Sequence, residues 1–465
     1  MPPGAWALQN RKVNPLADAN NRGGGGLVLS KSVGSTGFCF VHAADVHLDS
    51  PFSSMRLDSP EVAEAFAGAA RASLAAIARL CIEEGAHFLV LSGDVFDSEQ
   101  RSLRAQHELW MVLSELAGRG VHTYVAFGNH DSLSGWRSAF SWPEDVHFFG
   151  PEVSTYPVVA DGREVARVSG ISYPQPSVAD NLSAAFRKDP GDPFTVGVLH
   201  CNVGGDMRHA NYAPCTLADL EASGIDYWAL GHVHEPRILR AESPAIVYSG
   251  CAQGRNPREA GAHGCFVVRV AGGDGGCGAG GRRVEMKFVP TDVIRWHVLD
   301  VMIDGMSTVD QVIDAIRDGV SRLAMSSSMR PCAFRVRLLG RGKVHRELTV
   351  DGPEALLAAA REASPPGDRF DWIECVQDLT GPDVDRDALK AGGSLISDLL
   401  CLADEARSDP ARLAAVRGAL EERLGSRAGR GLTRLVRELG DEEMLQIIAK
   451  AESLALDLLL EEADS

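Results

Sequence analysis

The sequence predicts an α/β fold, and two observations carry that prediction. Over the first half of the chain, short apolar segments that suit buried strands alternate with amphipathic segments that suit helices. Five of the apolar segments also end in residues able to bind a metal ion. Alternation of this kind favours a sheet with helices on its faces, and such sheets bind ligands at the carboxyl ends of their strands. We therefore expect the five segment ends to form one site.

Each predicted element has its own signal. The strand segments, with the polar residues that follow them, read in chain order FCFVHAADVH, AHFLVLSGDVFD, VHTYVAFGNHD, FTVGVLH and DYWALGHVH. Between the first three segments lie two helical patterns, whose apolar residues recur three or four positions apart. The first pattern comprises Phe66, Ala70, Leu74, Ile77 and Cys81, and the second comprises Leu109, Val112, Leu113 and Leu116. Gly85 and Gly118 then predict the two helix ends.

The composition limits the class of protein. A chain of 465 residues, 45% of them hydrophobic, has room for two or three domains, and no apolar run in it approaches the ~20 residues of a membrane span. Ten cysteines without regular spacing predict reduced thiols in a cytoplasmic protein. The first 36 residues predict a disordered leader without the apolar stretch of a signal peptide. A net charge of -17 argues against tight binding of nucleic acid by this chain alone.

The residues at the five strand ends form a mixed oxygen and nitrogen donor set without a thiolate. The candidate ligands are Asp45, His47, Asp94, Asn129, His200, His232 and His234. Such a set favours manganese or iron over a structural zinc ion, and seven ligands suit two ions about 3.5–4 Å apart that share a carboxylate. The glycines before Asp94, Asn129 and His232 predict tight turns. Each motif alone has a structural explanation: a turn aspartate near a surface histidine for D-x-H, a turn with an Asx cap for GNHD, and one hydrogen-bonded and one solvated histidine for GH-x-H. Five motifs in this order favour a metal centre.

The order D-x-H, GD-x-x-D, GNHD, a single H and GH-x-H resembles that of the calcineurin-like metallophosphoesterases, and the match runs from Asp45 to His234. The resemblance implies a sandwich of two sheets flanked by helices. It implies one metal ion held by Asp45, His47, Asp94 and His234, and a second held by Asp94, Asn129, His200 and His232, so that Asp94 bridges. A hydroxide between the ions would attack phosphorus. His130 would be the proton donor or transition-state stabiliser, and Asp97 would orient it.

Other segments narrow the resemblance. GDVFDSE and GNHD differ from the Arg-Gly and GNHE of the protein phosphatases, which argues against a phosphoprotein substrate. HCNVGG, NYAPCTLADL and YSGCAQGRNPREAGAHGCFVV are similar to the bacterial DNA repair exonucleases of the YhaO and SbcD type. That similarity implies a two-metal, manganese-dependent DNA exonuclease, or endonuclease, with an SbcC-like, SMC-type ATPase as partner, and it allows a homodimer. Arg255 and Asn256 would contact phosphate, although a surface salt bridge explains Arg255 equally well. A phosphoesterase for a nucleotide or other small substrate and a non-catalytic regulatory subunit remain open alternatives.

The second half of the chain predicts two further regions after a phosphoesterase domain at 37–282. Residues 283–382 alternate strand and helix patterns, as in a small α/β capping domain, and the glycine-rich stretch at 271–281 suits a hairpin connection. Residues 383–465 are helical in pattern. Two apolar groups there are expected to pack within their own domain or, alternatively, to dock the ATPase. They are Leu395, Leu399 and Leu402 in one, and Met444, Leu445, Ile448 and Leu456 in the other.

Overall fold

The structure is a computed structural model. It describes residues 37–50, 59–97, 101–134, 137–206, 210–271, 282–328, 330–362, 370–427, 436–437 and 439–463, so the predicted leader lies outside it. The described chain forms two compact units. The first includes most of the chain up to Ile294, and the second includes residues 256–260 and the chain from Arg295 onward.

The first unit is built on two six-stranded sheets. Its strands are β1 (Phe38–Ala43), β2 (Phe88–Ser92), β3 (His122–Ala126), β4 (Val146–Phe148), β5 (Ser154–Ala160), β6 (Arg163–Gly170), β7 (Phe194–His200), β8 (Tyr227–Gly231), β9 (Arg237–Arg240), β10 (Ala245–Tyr248), β11 (Gly264–Val270) and β12 (Val284–Pro290). One sheet has the order β12-β11-β1-β2-β3-β4, and the other has the order β5-β6-β7-β8-β10-β9. Phe40 and Phe88 of one sheet pack in the same buried cluster as Val196 and Tyr227 of the other. The two sheets therefore form the predicted sandwich.

Helices cover the outer face of the first sheet. They are α1 (Pro60–Glu83) and α2 (Leu103–Gly118), and a shorter helix, α3 (Leu217–Ala222), lies beside the second sheet. The predicted apolar residues of α1 are all buried, and four of them, Ala70, Leu74, Ile77 and Cys81, pack in one cluster with residues of the sheet. By length and composition α1 is apolar enough to cross a membrane, contrary to what the sequence suggested. Its apolar residues pack in the core, as those of a core helix in a soluble fold do, so the length and composition are weak evidence for a span.

Strand β12 places the end of the first unit later than predicted. It pairs antiparallel with β11, from Gly264 opposite Pro290 to Val270 opposite Val284. Strands β11 and β12 therefore pair as the two strands of a hairpin would, and residues 272–281, for which a hairpin connection was predicted, lie outside the described chain. The boundary was expected at 282 but falls at 294. The reason is that β12 hydrogen-bonds to β11 and so belongs to the sheet of the first unit.

The second unit contains a parallel three-stranded sheet and a helical region. Its strands are β13 (Arg295–Met302), β14 (Cys332–Leu339) and β15 (Asp371–Asp378), and its helices are α4 (Val309–Ser326), α5 (His345–Glu362), α6 (Arg386–Ala391), α7 (Leu395–Ser408), α8 (Pro410–Arg427) and α9 (Asp441–Ala463). Helices α4 and α5 share a buried core with the sheet, as the small α/β pattern predicts.

The predicted apolar stripe on α7 is not the buried face of that helix. Leu395 is 69% exposed and Leu402 is 61% exposed, whereas Leu400 is fully buried. Ala403 and Ala406 are buried with Leu400, so small residues at three-residue spacing form the packed face. Small side chains allow neighbouring helices to approach closely, and this contact turns the leucine stripe outward. On α9, by contrast, Met444 and Leu456 are buried as expected.

Candidate metal centre

The loops that follow β1, β2 and β8 are joined by hydrogen bonds that main-chain amides donate. The amides of Asp45 and His47 donate to the carbonyl oxygens of Gly93 and Asp94, each at 3.0 Å. The amide of His232 donates to both carboxylate oxygens of Asp45, at 3.2 and 3.1 Å. Three distant segments of the sequence therefore converge before any side chain binds a ligand.

Four of the seven predicted ligands have left-handed backbone conformations. The φ angles are 50° at Asp45, 51° at His47, 50° at Asp94 and 98° at His232. A positive φ is strained for residues other than glycine, and such strain persists where the surrounding structure imposes it, often at functional sites. The sequence patterns did not predict this feature.

Asp45, His47 and His234 form the first cluster of donor atoms, with all three within 4.8 Å of one another. Nε2 of His47 lies 3.3 Å from Nε2 of His234. Two ring nitrogens at that distance require a positive group between them, either a proton or a metal ion. This is the set, apart from the bridging Asp94, that the resemblance assigns to the first ion.

Asp45, Asp94 and His200 form the second cluster, within the same limit. Oδ2 of Asp94 lies 3.4 Å from Nε2 of His200 and 4.0 Å from Nε2 of His47. Oδ1 of Asn129 lies 3.1 Å from Nε2 of His200. One carboxylate oxygen of Asp94 therefore faces a histidine of each predicted ion, which is the position a bridging ligand needs. Asp45 belongs to both clusters as well.

Two histidines are oriented by backbone carbonyls. Nδ1 of His200 donates to the carbonyl of Ser92 at 3.0 Å, and Nε2 of His232 donates to the carbonyl of Ala210 at 2.7 Å. A carbonyl only accepts, so these contacts define the protonated nitrogen and leave the other nitrogen of each ring with its lone pair. Metal-binding histidines are commonly held in this way.

Burial and charge set the protonation of the cluster. Burial lowers the pKa of His47 well below its usual value, with a further contribution from the charge of Arg255, which favours the neutral ring that binds metals. Burial raises the pKa of Asp45. For Asp94, burial acts in the same direction, but nearby histidines, led by His200, outweigh it and lower the pKa. Buried carboxylates and neutral imidazoles fit divalent cations.

The contacts of Asp97 differ from those that the resemblance implies. Its carboxylate oxygen Oδ1 lies 3.0 Å from Nδ1 of His47 and accepts a hydrogen bond from Nη1 of Arg255 at 2.7 Å. Nδ1 of His130 instead donates to the main-chain carbonyl of Asp97 at 3.0 Å and lies 3.8 Å from Oδ1. The backbone of Asp97 therefore holds His130, and the Asp97 carboxylate lies beside His47 and Arg255.

Arg255 and Asn256 have different surroundings. Nη1 of Arg255 also donates to Oγ of Ser50 at 3.3 Å, beside the metal centre. Asn256 caps the short turn at Pro257–Glu259, where its Oδ1 accepts from the amide of Arg258 at 2.9 Å. The structure places Arg255 with the other predicted residues, and it shows the Asn256 oxygen in a backbone cap.

Asp131 is a buried residue to which the sequence motifs assign no role. Its Oδ2 accepts from the amides of Val95 and Phe96 at 2.7 and 3.1 Å, and its Oδ1 accepts from Gly128 at 2.7 Å. It thereby joins the loop after β2 to the loop after β3. Burial and the nearby charge of Asp94 raise the pKa of Asp131 to about 7. In the sequence, only the position of Asp131 in GNHD, directly after His130, indicated a role at the site.

The three glycines that precede predicted ligands are needed mainly because neighbouring atoms leave no room for a side chain. Only Gly93 has a positive φ, of 93°. A Cβ at Gly128 would overlap Oδ1 of Asp94 and lie 2.8 Å from the His200 ring, and a Cβ at Gly231 would overlap the carbonyl of Ser92. The predicted tight turns are therefore confirmed at one of the three positions, and the other two need glycine for space.

Comparisons with known proteins identify the family of this chain. A family model for calcineurin-like phosphoesterases matches residues 39–236, and one for the middle domain of metallophosphoesterase YhaO matches residues 296–381. The uncharacterized metallophosphoesterase YhaO of Bacillus subtilis is 33% identical over 356 residues, which are 74% of this chain and 82% of that protein.

More distant relatives include DNA double-strand break repair proteins named Mre11. That of Archaeoglobus fulgidus is 29% identical over 247 residues, covering 48% of this chain and 51% of the relative. That of Methanopyrus kandleri is 28% identical over 212 residues, covering 42% and 44%. This chain thus spans about half the length of these two relatives. A solved dimetal phosphatase from Danio rerio aligns with 54% of this chain and 98% of its own, at 14% identity and a TM-score of 0.32.

The donor set, its geometry and the similarity to YhaO lead to one conclusion. Phosphoester hydrolysis with two divalent metal ions is the chemistry that the family implies, and the residues at the strand ends fit such ions. The chain belongs to the calcineurin-like metallophosphoesterases, in the group that includes YhaO.

Proposed function

We propose that this phosphoesterase is a DNA phosphodiesterase, a manganese-dependent exonuclease that serves DNA repair in the cytoplasm. The similarity to Mre11 proteins, which are named for DNA double-strand break repair, supports the choice of DNA. The donor set of two aspartates, one asparagine and four histidines supports manganese over a structural zinc. Endonuclease activity at the same centre is compatible with this proposal.

The observation that carries the proposal is the meeting of both predicted ligand groups on Asp94, beside an accessible His130. His130 has 41% of its side chain exposed, whereas that of Asp94 is 2% exposed. Bound divalent ions would activate a water molecule and neutralise charge on the phosphoryl oxygens. Because Nδ1 of His130 donates to the Asp97 carbonyl, its other nitrogen can hold the proton that the leaving oxygen needs.

The decisive experiment is an assay of the purified chain with manganese on labelled single- and double-stranded DNA and on bis-p-nitrophenyl phosphate. We expect cleavage of both substrate classes, loss with a chelator and recovery with manganese. Asp94→Ala should abolish turnover and lower the bound metal more than His47→Ala does, because Asp94 lies near histidines of both groups.

Other outcomes of the assay identify the alternatives. Cleavage of the small ester without cleavage of DNA would favour a phosphoesterase for a nucleotide or other small substrate. Absence of both activities in metal-loaded protein would favour a regulatory subunit. Full activity of metal-free Asp94→Ala protein would exclude the two-metal chemistry altogether.

We further propose that an SbcC-like ATPase binds the helical region after residue 383. Leu395 and Leu402 on α7 and Leu454 on α9 are 69%, 61% and 58% exposed, which gives an apolar partner a place to bind. The net charge of -17 supports the need for a partner that contributes affinity for DNA. A homodimer through the same region is the outcome to be distinguished by light scattering of the chain alone.

A further inference from the structure

A buried thiol and imidazole lie directly behind one of the predicted metal ligands. Sγ of Cys251 is 3.1 Å from Nδ1 of His263, and Cys251 and His263 are 0% and 4% exposed. The same sulfur lies within 4.8 Å of a ring nitrogen of His234. The sulfur thus lies beside the imidazole of His263 and within reach of His234, and neither Cys251 nor His263 takes part in the proposed catalysis.

The backbone around this group is closely held. The amide of Cys251 donates to the carbonyl of His234 at 3.0 Å, and the amides of Thr291 and Asp292 donate to the carbonyl of His263 at 3.0 and 3.1 Å. Gly250, with a φ of 76°, has no room for a Cβ against the backbone of His234. The tight turn at Gly250 therefore brings the sulfur to the ligand loop.

We propose that Cys251, His263 and His234 form a second, inhibitory metal site that takes zinc or another thiophilic divalent ion. A thiolate with two imidazoles is a soft donor set that zinc prefers, whereas the catalytic set consists of oxygens and imidazoles and suits manganese. In a tetrahedral zinc site the sulfur and nitrogen ligands lie about 3.5 Å apart, so Cys251 and His263, at 3.1 Å, have to open by only about 0.4 Å. His234 has to turn away from the first ion to complete the site.

Occupation of this site withdraws a ligand from catalysis. A neutral imidazole has a single lone pair, so His234 binds either the thiolate-held ion or the ion beside His47 and Asp45. Binding of the ion displaces the thiol proton of Cys251 to solvent, and no electron transfer is involved. Zinc at this site therefore converts a manganese-loaded enzyme into one that lacks a ligand for its first ion.

The first test is a titration of the purified full chain with Co²⁺, whose complexes with thiolates absorb in the near ultraviolet. We expect a thiolate-to-cobalt charge-transfer band that Cys251→Ser abolishes and His263→Gln weakens. Cys265→Ser and Cys401→Ser are the matched controls, since the first sulfur is buried among aliphatic side chains and the second is exposed. A band that Cys251→Ser leaves unchanged, in protein with a native circular dichroism spectrum, overturns the site.

The second test measures hydrolysis of bis-p-nitrophenyl phosphate by manganese-loaded protein at rising zinc concentrations, each variant relative to its own zinc-free rate. Zinc should inhibit the unaltered chain and both control variants, and the half-inhibiting concentration should rise at least about tenfold in Cys251→Ser and His263→Gln, the scale on which loss of a metal-site residue lowers affinity. Equal inhibition of all variants would overturn the inhibitory role. The cobalt test does not depend on a DNA substrate, so it stands apart from the proposed exonuclease function.

Discussion

His130 and Asp97 illustrate how roles at this centre are divided between single residues. His130 is partly exposed and contacts the backbone of Asp97, whereas the carboxylate of Asp97 lies against His47 and Arg255. The family resemblance implies that Asp97 orients His130. In the structure, however, the Asp97 carboxylate lies closer to the metal ligand His47 than to His130. The two residues should therefore fail in different ways when substituted.

Replacing His130 with asparagine should leave the metals bound and lower turnover by roughly 10²–10⁴, the usual scale of proton-transfer assistance. The loss should be smaller for p-nitrophenyl esters, whose leaving group needs no proton. Steady-state kinetics on both substrates, with the metal content of the variant, check this. Equal losses on both substrates would assign His130 to substrate positioning instead.

Replacing Asp97 with asparagine should weaken metal binding at His47, raising the manganese concentration for half activation by about 10- to 100-fold. The reason is the 3.0 Å contact between the Asp97 carboxylate and Nδ1 of His47. Asp145→Asn is a matched control, because Asp145 lies 3.0 Å from Nδ1 of His122 at the opposite end of β3. If saturating manganese does not restore the rate of the Asp97 variant, its main role is to orient His130.

At the scale of elements, the strand ends bring ligands together only because the connecting backbone is closely packed. Gly128 follows β3, and a Cβ at this position would overlap both Asp94 and His200. We expect Gly128→Ala to displace these ligands and to lose most of the bound metal. Gly118→Ala, at the end of α2 where a Cβ meets nothing within 4 Å, should retain it. Metal content by plasma mass spectrometry distinguishes the two, and retention in Gly128→Ala would show that the loop adapts.

The helical region is joined to the three-stranded sheet of its unit by a buried charge. Glu452 of α9 is 3% exposed and pairs with Arg341, Arg386 and Arg407 at 3.2, 3.0 and 2.6 Å. Removal of one partner from such a buried group typically costs about 3–5 kcal/mol. Glu452→Ala should therefore make the helical region the first part cut by a protease, whereas Glu405→Gln, at an exposed pair with Arg412, should not. Equal protease resistance of both variants would contradict this.

At the scale of the whole molecule, net charge opposes the proposed substrate. A chain at -17 repels DNA, and the field of two metal ions decays over about 8 Å in physiological salt. We expect weak and strongly salt-dependent DNA binding by the chain alone, measured by fluorescence anisotropy, and much tighter binding with an SbcC-like ATPase. Leu395→Glu with Leu402→Glu should abolish the stimulation and spare hydrolysis of small phosphodiesters. Stimulation that survives these changes would place the partner elsewhere.

The sequence by itself determined the α/β class, the two long helices of the first unit and the identity of the donor atoms. These features are local. Apolar residues at helical spacing in α1 and α2 predict buried faces, and motifs directly after strands predict side chains at a sheet edge. The stripe on α7 failed because spacing identifies an apolar face but not which face the neighbouring helices cover.

Only the tertiary structure determined which of the predicted residues contact one another. The contact of Asp97 with His47, the clamp formed by Asp131 and the need for space at Gly128 all depend on distances between segments far apart in the chain. The position of the Cys251 sulfur near His263 and His234 also depends on the fold, because an isolated cysteine in the sequence does not predict which histidines lie beside it. Residue types and spacing are local properties of a chain, whereas contacts between distant segments arise only from its packing.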